Sequence, residues 1–303
     1  MICPVCSSDK IFNESKFRNK DKCFSNMERV SCENCKLHFA HPMPSLSNLN
    51  LYNDSYHKSA HGGHERNLKQ SAFFSGIAKT RLNFIKSNIE LDKKTSYKIL
   101  EIGPGPGAFV GVWKDHFVNS EYYVIETDKN CHSSLRNLGV RIVHNKFLKE
   151  KNLKFNFIIL SHVLEHVTSP KEFLNSYLKY LKIGGHIFIE VPCMDWKHKK
   201  LDEPHLLFFD KPSMTCLMDK LNLTKVSIGY FGITIKSILN PIKNFIKRLR
   251  NFLWRKGISF YHPEKKNLLR LGLNNLEAGA VINFEPHIEQ SKPSWWLRIL
   301  FKK

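Results

Sequence analysis

The sequence predicts an α/β protein in which a mostly parallel sheet is covered by helices on both faces. Strand-like and helix-like segments alternate between residues 97 and 230, as they do when crossover helices join parallel strands. Two of the strands, YKILEI (97–102) and FNFIIL (155–160), are apolar nearly throughout, which is typical of strands buried on both faces of a sheet. A chain of 303 residues has room for one such domain and a small additional module.

The elements follow one another in a regular order. Apolar residues at helical spacing predict a first helix over residues 64–90. The predicted strands of the sheet are 97–102, 121–126, 140–143, 155–160, 185–191 and 224–230. The predicted helices between them are 107–117, 130–138, 170–181 and 212–221. The C-terminal PSWWLRILFKK is interpreted as a last strand that returns to the sheet, in preference to a short interfacial helix.

Two Cys-x-x-Cys pairs precede this domain. The predicted metal ligands are Cys3, Cys6, Cys32 and Cys35. Four thiolates at this spacing form a closed tetrahedral site, so we predict a structural Zn²⁺ in a small N-terminal zinc ribbon. Cys23 lies between the pairs and is not expected to be a ligand.

The chain shows no signal-peptide pattern and no apolar run that could span a bilayer, and the expected location is therefore cytoplasmic and reducing.

A glycine-rich loop follows the first strand of the sheet, at the edge where open α/β sheets bind their ligands. Its acidic residue and glycines are Glu101, Gly103, Gly105 and Gly107. The loop satisfies the short G-x-G-x-x-A pattern of dinucleotide sites, but Pro104 and Pro106 remove two N–H donors that a pyrophosphate needs. The Glu101 carboxylate would also repel pyrophosphate and attract an ammonium or sulfonium group. S-adenosylmethionine carries both groups and is the predicted cofactor; a tight turn with an incidental glutamate is the alternative.

Five segments in this order resemble the motifs of class I S-adenosylmethionine-dependent methyltransferases. They are E-x-G-x-G-x-G (101–107), YYVIETD (122–128), FNFIILSHVLEHVTSP (155–170), LKIGGHIFIEVP (181–192) and HLLFFDKPSMTCLMDKLNL (205–223). The resemblance covers about residues 64–232 and the last strand. It implies a Rossmann-like seven-stranded, mostly parallel sheet with helices on both faces.

The resemblance also implies which residues bind the cofactor. They are Glu101, Gly103, Gly105, Gly107, Glu126, Asn145 and His162. Glu126 ends the second strand, where the acidic residue of the family binds the ribose hydroxyls. Asn145 stands near the position of an acidic residue that contacts the adenine amino group, and its side-chain carbonyl can accept the same hydrogen bond. His162 is expected to frame the adenosyl pocket.

Methyl transfer needs two positioned reactants and a base where the acceptor loses a proton. Candidate bases on the loops at the carboxyl edge are His162, Glu165, His166 and His205. We predict His166 and His205 as the catalytic residues, since imidazoles titrate near neutral pH. The alternative is that His166 shapes the cofactor pocket and His205 fastens its loop. No divalent metal is expected beside Glu165 and His166.

The charge of the chain favours an anionic partner. The formal net charge is +20, and residues 233–256 combine an apolar helical stripe with seven cations and no acidic residue. This segment is interpreted either as a lid on the core or as a helix in peripheral contact with the anionic inner face of a membrane. The predicted organisation is a zinc ribbon with its linker (1–60), the methyltransferase core (61–232), a basic amphipathic insertion (233–290) and the final strand (291–303).

The acceptor is predicted from the linker, HPMPSLSNLNLYNDSYH, which resembles the segment after the zinc ribbon in bacterial methyltransferases of surface-glycan and sugar pathways. The predicted substrate is a sugar or saccharide intermediate, nucleotide-linked or lipid-linked. One alternative is an RNA methyltransferase, because zinc ribbons also precede this fold in rRNA-modifying enzymes, although nucleic acid is the less favoured partner. The other alternative is a non-catalytic binding module that keeps the fold.

Overall fold

The structure is a computed structural model that describes residues 1–45, 47–49, 52, 68–256, 258, 262, 264–284 and 289–303. Its strands, in chain order, are β1 (Ile11–Lys16), β2 (Glu28–Cys32), β3 (His38–His41), β4 (Lys98–Ile102), β5 (Glu121–Ile125), β6 (Arg141–Ile142), β7 (Phe155–Ser161), β8 (Leu181–Pro192), β9 (Leu207–Phe208), β10 (Thr224–Thr234), β11 (Glu289–Gln290) and β12 (Ser294–Lys302). Its α-helices are α1 (Leu68–Asn88), α2 (Ala108–His116), α3 (His132–Asn137), α4 (Asn145–Glu150), α5 (Pro170–Leu178), α6 (Lys211–Lys220), α7 (Ile235–Ile238), α8 (Pro241–Arg255), α9 (Lys265–Arg270) and α10 (Asn275–Phe284).

The central sheet has the strand order β11-β10-β12-β8-β7-β4-β5-β6. Strands β4 to β8 pair in parallel, and β12 inserts antiparallel between β8 and β10. The predicted Rossmann-like, mostly parallel sheet is therefore confirmed, and the short β11 extends one edge. The C-terminal segment is a strand, as the sequence predicted.

Two hydrophobic cores lie on opposite faces of this sheet because neighbouring strand residues point to opposite sides. Ile99 and Phe157 pack with α1, α2 and α3, where the fully buried Trp113 fills the centre. Leu100 and Ile158 pack on the other face with α5 and α6. The near-continuous apolar strands are thus covered on both sides by helices, as their composition predicted.

The N-terminal strands form a second, antiparallel sheet with the order β1-β2-β3-β9. Its last strand, β9, comes from the chain after β8, so the main domain contributes one strand to the N-terminal module. The amide of Ala40 also donates to the carbonyl of Leu206 at 2.8 Å. The core of the module is continuous with the core beneath α5 and α6.

The structure differs from the predicted elements at several places, among them the additional elements β9, β11, α9 and α10. Helix α5 ends at Leu178, because Leu181 already pairs with Phe155 and begins β8. Helix α4 was not predicted. Within residues 233–256, strand β10 continues to Thr234, and Pro241 restarts a helix at its first turn after the Asn240 cap.

The start of the helix predicted from residue 64 and most of the linker lie outside the described residues. No helix in the described ranges has the length and hydropathy to cross a bilayer.

Candidate active site

A cavity of about 870 Å³ opens at the carboxyl edge of the sheet, where β4, β5, β7 and β8 end. Its wall includes six of the predicted site residues, as well as acidic, basic and aromatic side chains from several loops. The predicted residues that line it are Gly103, Gly105, Glu126, His162, His166 and His205. Over the described part of the chain, the wall does not include Glu101, Gly107 or Asn145.

The glycine loop keeps its backbone donors for the protein. Each of its three glycine N–H groups donates an intramolecular hydrogen bond. The acceptors are the Ile125 carbonyl for Gly103 (2.9 Å), the Glu126 carboxylate for Gly105 (2.8 Å) and the Pro104 carbonyl for Gly107 (3.1 Å). Because the remaining two positions are prolines, no backbone N–H within residues 103–107, all of them described, is left for a phosphate. The loop therefore fits a cofactor without phosphate on this side.

Two of the glycines are needed for different reasons. Gly105 has a φ of +57°, and a Cβ there would meet nothing within 4 Å, because the position faces the open cavity. Gly107 has a φ of +88°, and a Cβ there would lie 2.6 Å from Leu138 Cδ1. Gly107 thus allows α3 to approach the loop, whereas the resemblance implied that it binds the cofactor.

Glu101 lies beneath the loop rather than on its surface. Its side chain is buried, and the Tyr122 hydroxyl donates to its Oε2 at 2.6 Å. Burial raises the pKa of Glu101 to about 7, although the Tyr122 hydrogen bond opposes the shift. A cation above the loop would favour the ionised form of this carboxyl group.

Glu126 is held at the end of β5 by backbone amides. Its Oε2 accepts from Gly105 N and its Oε1 accepts from Asp128 N, both at 2.8 Å. The fixed carboxylate retains lone pairs for hydroxyl donors in the cavity. Asn145 is exposed at the start of α4 and lies beside Tyr177, which lines the cavity.

His162 lies between two carboxylates. Its Nδ1 is 3.3 Å from Glu165 Oε1, and its Nε2 is 3.1 Å from Glu190 Oε1. Burial alone would lower the pKa of His162, but these two carboxylates raise it. Glu190 also binds Arg298 Nε at 2.6 Å and the Arg81 guanidinium. His162 is therefore anchored to a charged network inside the sheet.

Sequence analysis missed Glu190 and Arg298. Both are fully buried, and they face each other across β8 and β12 as register partners. A signal was present, because each is a lone charge in an otherwise apolar strand, IFIEVP and WWLRILF. Buried charges are rarely retained without a partner.

A second cluster places His166 beside His205. Their rings are 4.9 Å apart, and His166 Nε2 is 3.8 Å from Glu165 Oε1. The His166 Nδ1 lies 3.2 Å from the Pro204 carbonyl. Burial lowers the pKa of His166 to about 4, so this imidazole is neutral at pH 7.

Asp195 orients His205. Its Oδ2 is 2.7 Å from His205 Nδ1 and 2.6 Å from Lys199 Nζ. Burial would raise the pKa of Asp195, but His205 and Lys199 hold it well below its usual range. This ionised carboxylate fixes the imidazole so that Nε2 carries the lone pair. No sequence motif marks Asp195 and Lys199 as site residues, because the loop after β8 that carries them has little regular secondary structure.

The four predicted zinc ligands converge. Their Sγ atoms all lie within 4.8 Å of one another, with 3.5 Å between Cys3 and Cys35 and 3.4 Å between Cys6 and Cys32. Hydrogen bonds from the Cys35 thiol and from the amides of Cys6 and Val5 lower the pKa of Cys3 to about 5, although burial opposes the shift. This donor set fits a tetrahedral Zn²⁺ site.

The two cysteine pairs also have the same turn. Ser7 and Lys36 each follow a second cysteine, and both have a φ of +63°. Both amides donate back at 3.0 Å, to the carbonyls of Cys3 and Cys32. Both turns aim their cysteine sulfurs at one point, as expected of a metal site.

The cysteine module supports the loop that carries Asp195 and His205. Arg18 binds the buried Asp202 carboxylate and donates to the carbonyls of Trp196 and Lys199. The Arg29 guanidinium lies 4.2 Å above the centre of the Trp196 ring. The module therefore packs directly behind one wall of the cavity.

The fold and the site together define a class. Rossmann-like methyltransferases have a parallel sheet with a glycine loop after its first strand and an acidic residue after its second. The glycine loop of this chain has no backbone N–H available for a phosphate, and Glu126 follows the second strand of its sheet. Residues 71–228 match a family model described as "Methyltransferase domain", and the chain belongs to this family. It is an S-adenosylmethionine-dependent methyltransferase, as the sequence predicted.

Solved structures to which the chain is similar include several methyltransferases. A SAM-dependent methyltransferase from Archaeoglobus fulgidus has 17% identity and a TM-score of 0.47, with 76% of this chain and 94% of that chain covered. A possible histamine N-methyltransferase from Thermotoga maritima has 15% identity and a TM-score of 0.47, with 84% and 95% covered. The plantazolicin methyltransferase BpumL in complex with SAH has 14% identity and a TM-score of 0.43, with 86% and 91% covered. Comparison with curated proteins found no match.

Glu101 gives the fold a specific pH dependence. Between its ordinary pKa of 4.5 and its folded pKa of about 7, the folded state keeps a proton that the unfolded state has released. The free energy of unfolding therefore falls as the pH rises through this window, by an amount on the order of 3 kcal/mol from this group. We expect Glu101→Gln to remove that component, so that urea unfolding at pH 5 and pH 8 differs less in the variant. Equal pH dependence in both proteins would contradict the assignment.

Proposed function

We propose that the protein transfers the methyl group of S-adenosylmethionine to a hydroxyl of a sugar or saccharide intermediate, nucleotide-linked or lipid-linked, in glycan biosynthesis. The observation that carries the proposal is one cavity lined both by the glycine loop and by a polar cluster of histidines and carboxylates. Trp295 and Trp296 also line this cavity, and aromatic rings pack well against the apolar C–H faces of sugars.

The cofactor is proposed to lie along the carboxyl edge of β4 and β5. Gly103 and Gly105 would support its methionine side, and Glu126 would accept hydrogen bonds from the ribose hydroxyls. Glu101 would act from below the loop through its charge, and Asn145 through its contact with Tyr177. His162 would frame the adenosyl side, held there by Glu165 and Glu190.

In the proposed reaction, a lone pair of the acceptor oxygen forms a bond to the methyl carbon. The carbon–sulfur bond breaks, its electrons stay on sulfur, and S-adenosylhomocysteine leaves. The hydroxyl proton must go to a base. His166 and His205 are proposed for this role because both present an imidazole to the cavity, and His205 is the stronger candidate because Asp195 would stabilise its protonated form.

The cysteine cluster is proposed to hold one structural Zn²⁺. Four sulfur ligands leave no open coordination position, so this ion would have no catalytic part. Its effect on activity would pass through the loop of residues 195–205, which the module contacts through Arg18 and Arg29.

Helix α8 is proposed to contact an anionic membrane face on the cytoplasmic side. Five apolar side chains of α8 are about half exposed or more: Ile242, Phe245, Ile246, Leu249 and Phe252. The helix packs instead through Trp254 against Gly279 and through Arg250, which donates to the carbonyls of Ile282 and Asn283. Exposed apolar residues among cations favour a membrane contact over a lid closed on the core.

This proposal predicts charge-dependent binding to vesicles. We expect the protein to sediment with phosphatidylcholine vesicles only when they contain phosphatidylserine, and Phe245→Glu to weaken that binding roughly tenfold or more. Phe12→Glu is the matched control, because Phe12 is 56% exposed on the N-terminal module, away from α8. Equal losses in the two variants, or binding independent of lipid charge, would rule out α8 as the contact.

The acceptor class is tested with radiolabelled S-adenosylmethionine and fractionated cell extract. Nucleotide sugars, lipid-linked glycans, RNA and protein are separated after the reaction. We expect label in a nuclease-resistant sugar or lipid-linked glycan fraction, and its loss in His205→Gln. Label that disappears with ribonuclease would overturn the saccharide proposal and favour the RNA alternative, to which the net charge of +20 also points.

A further inference from the structure

The loops after β7 and β8 bring three metal-binding side chains to one point in the cavity. One ligand atom from each of Glu165, His166 and His205 lies within 4.8 Å of the other two. All three side chains line the cavity that also contains the glycine loop. Two imidazoles and a carboxylate are a common ligand set for divalent transition metals.

The partners of the two histidines select the tautomer that a metal requires. His166 Nδ1 lies 3.2 Å from the carbonyl oxygen of Pro204, which can only accept, so Nδ1 carries the proton. His205 Nδ1 lies 2.7 Å from Asp195 Oδ2 and 3.3 Å from Lys199 Nζ, and the shorter contact, to a carboxylate oxygen that accepts, favours the same tautomer. With Nδ1 engaged in this way, Nε2 is the ring atom of each histidine that remains to bind a cation. Metal-binding histidines are oriented in this way by a carbonyl or a carboxylate behind the ring.

Glu165 provides an independent sign of a missing ligand. Its side chain is 1% exposed, and within the described part of the structure neither carboxylate oxygen accepts a hydrogen bond. The surrounding nitrogens are ion-pair contacts only, His162 Nδ1 at 3.3 Å and His166 Nε2 at 3.8 Å. A buried carboxylate normally has all its acceptors satisfied or coordinates a cation.

We propose that Glu165, His166 and His205 form a divalent-cation site. Three protein ligands would leave coordination positions that open into the cavity. The mixed nitrogen and oxygen donors suit Mn²⁺, Fe²⁺, Co²⁺ or Zn²⁺, in contrast to the all-sulfur cluster at the N-terminus. No cation was expected here from the sequence. His205 lies far along the chain from Glu165 and His166, and only the folded loops bring it to them.

Cation binding at this site does not depend on the proposed function. The role of the cation in the reaction does rest on it. If the acceptor is a saccharide, a cation here would supply Lewis-acid stabilisation of an acceptor oxygen and a template for two adjacent hydroxyls. His166 and His205 cannot hold a cation and accept a proton through the same Nε2 atoms. Cation binding would therefore assign them as ligands, in place of the base role proposed above.

The test is a titration of the whole 303-residue chain, with zinc at its cysteine cluster, with Mn²⁺ alone, followed by the electron paramagnetic resonance signal of free Mn²⁺. Mn²⁺ is a suitable probe because it prefers imidazole and carboxylate ligands and does not compete for thiolates. We expect one Mn²⁺ to bind per chain, and Glu165→Gln to weaken the binding at least roughly tenfold. His166→Gln gives a second test if the first variant does not fold.

Asp128→Asn is the matched control, since it makes the same change at another carboxylate of the same cavity. It should retain Mn²⁺ binding. Failure of the wild-type protein to bind Mn²⁺, or equal binding by wild type, Glu165→Gln and His166→Gln, would overturn the proposal. S-adenosylmethionine binding, measured by calorimetry on the same samples, keeps the two questions apart, because a protein that binds the cofactor but no Mn²⁺ refutes only the cation site.

Discussion

Gly105→Arg should abolish binding of S-adenosylmethionine. The Cβ position of Gly105 opens into the cavity, so an arginine side chain there would fill the floor on which the cofactor lies. We expect a loss of affinity of roughly 100-fold or more in isothermal titration calorimetry, equivalent to about 2.7 kcal/mol. Methyl transfer to any acceptor should fall by at least the same factor at low cofactor concentration.

Gly272→Arg is the control for backbone strain. Gly272 has a φ of +85°, and a Cβ there also meets nothing within 4 Å, but it follows α9 and lies outside the cavity wall. Both variants carry a strain of about 1–2 kcal/mol from a side chain in the left-handed region. Equal cofactor affinity in the two variants would show that Gly105 does not face the bound cofactor.

Removal of zinc should destabilise the N-terminal module and reduce activity together. A structural Zn²⁺ contributes about 10–16 kcal/mol of apparent binding free energy, and removal of one thiolate weakens its binding. We expect purified protein to contain one zinc per chain by elemental analysis and Cys32→Ser to contain none. Because Arg18 and Arg29 then lose their positions, the loop that carries Asp195 and His205 should become accessible to protease.

Cys23→Ser separates this effect from the loss of any cysteine. Cys23 is a free, partly exposed cysteine outside the four-sulfur cluster. The variant should keep its zinc, its protease resistance and its activity. Full activity in zinc-free Cys32→Ser protein would contradict the supporting role of the module, while leaving the catalytic assignment untouched.

Sequence patterns were sufficient for the sheet because each central strand carries its own signal. Strands β4 and β7 are buried on both faces and read as apolar runs, and the turn after β4 needs glycines in the left-handed region. The fold class, the enzyme class and the last strand follow from such local signals. The position of Glu126 at the cavity could be predicted because the end of the second strand lies at the same edge of the sheet as the glycine loop.

The acceptor side of the cavity could not be predicted in the same way. Asp195 and Lys199 lie on an irregular loop whose course depends on the cysteine module behind it. Glu190 and Arg298 are far apart in the chain and meet only through strand register. The pairing of Glu165 with His205 has the same origin, since it needs the loops after β7 and β8 to fold against each other. Tertiary packing, which leaves no local pattern, decides all of these contacts.

The most direct test of the account is a crystal structure of the protein with S-adenosylhomocysteine. We expect the nucleoside product to lie across the ends of β4 and β5, with its ribose hydroxyls about 3 Å from the Glu126 carboxylate. Its sulfur should point toward the cluster of Glu165, His166 and His205, where the acceptor would bind. A product bound elsewhere, or bound with its ribose away from Glu126, would contradict the proposed site.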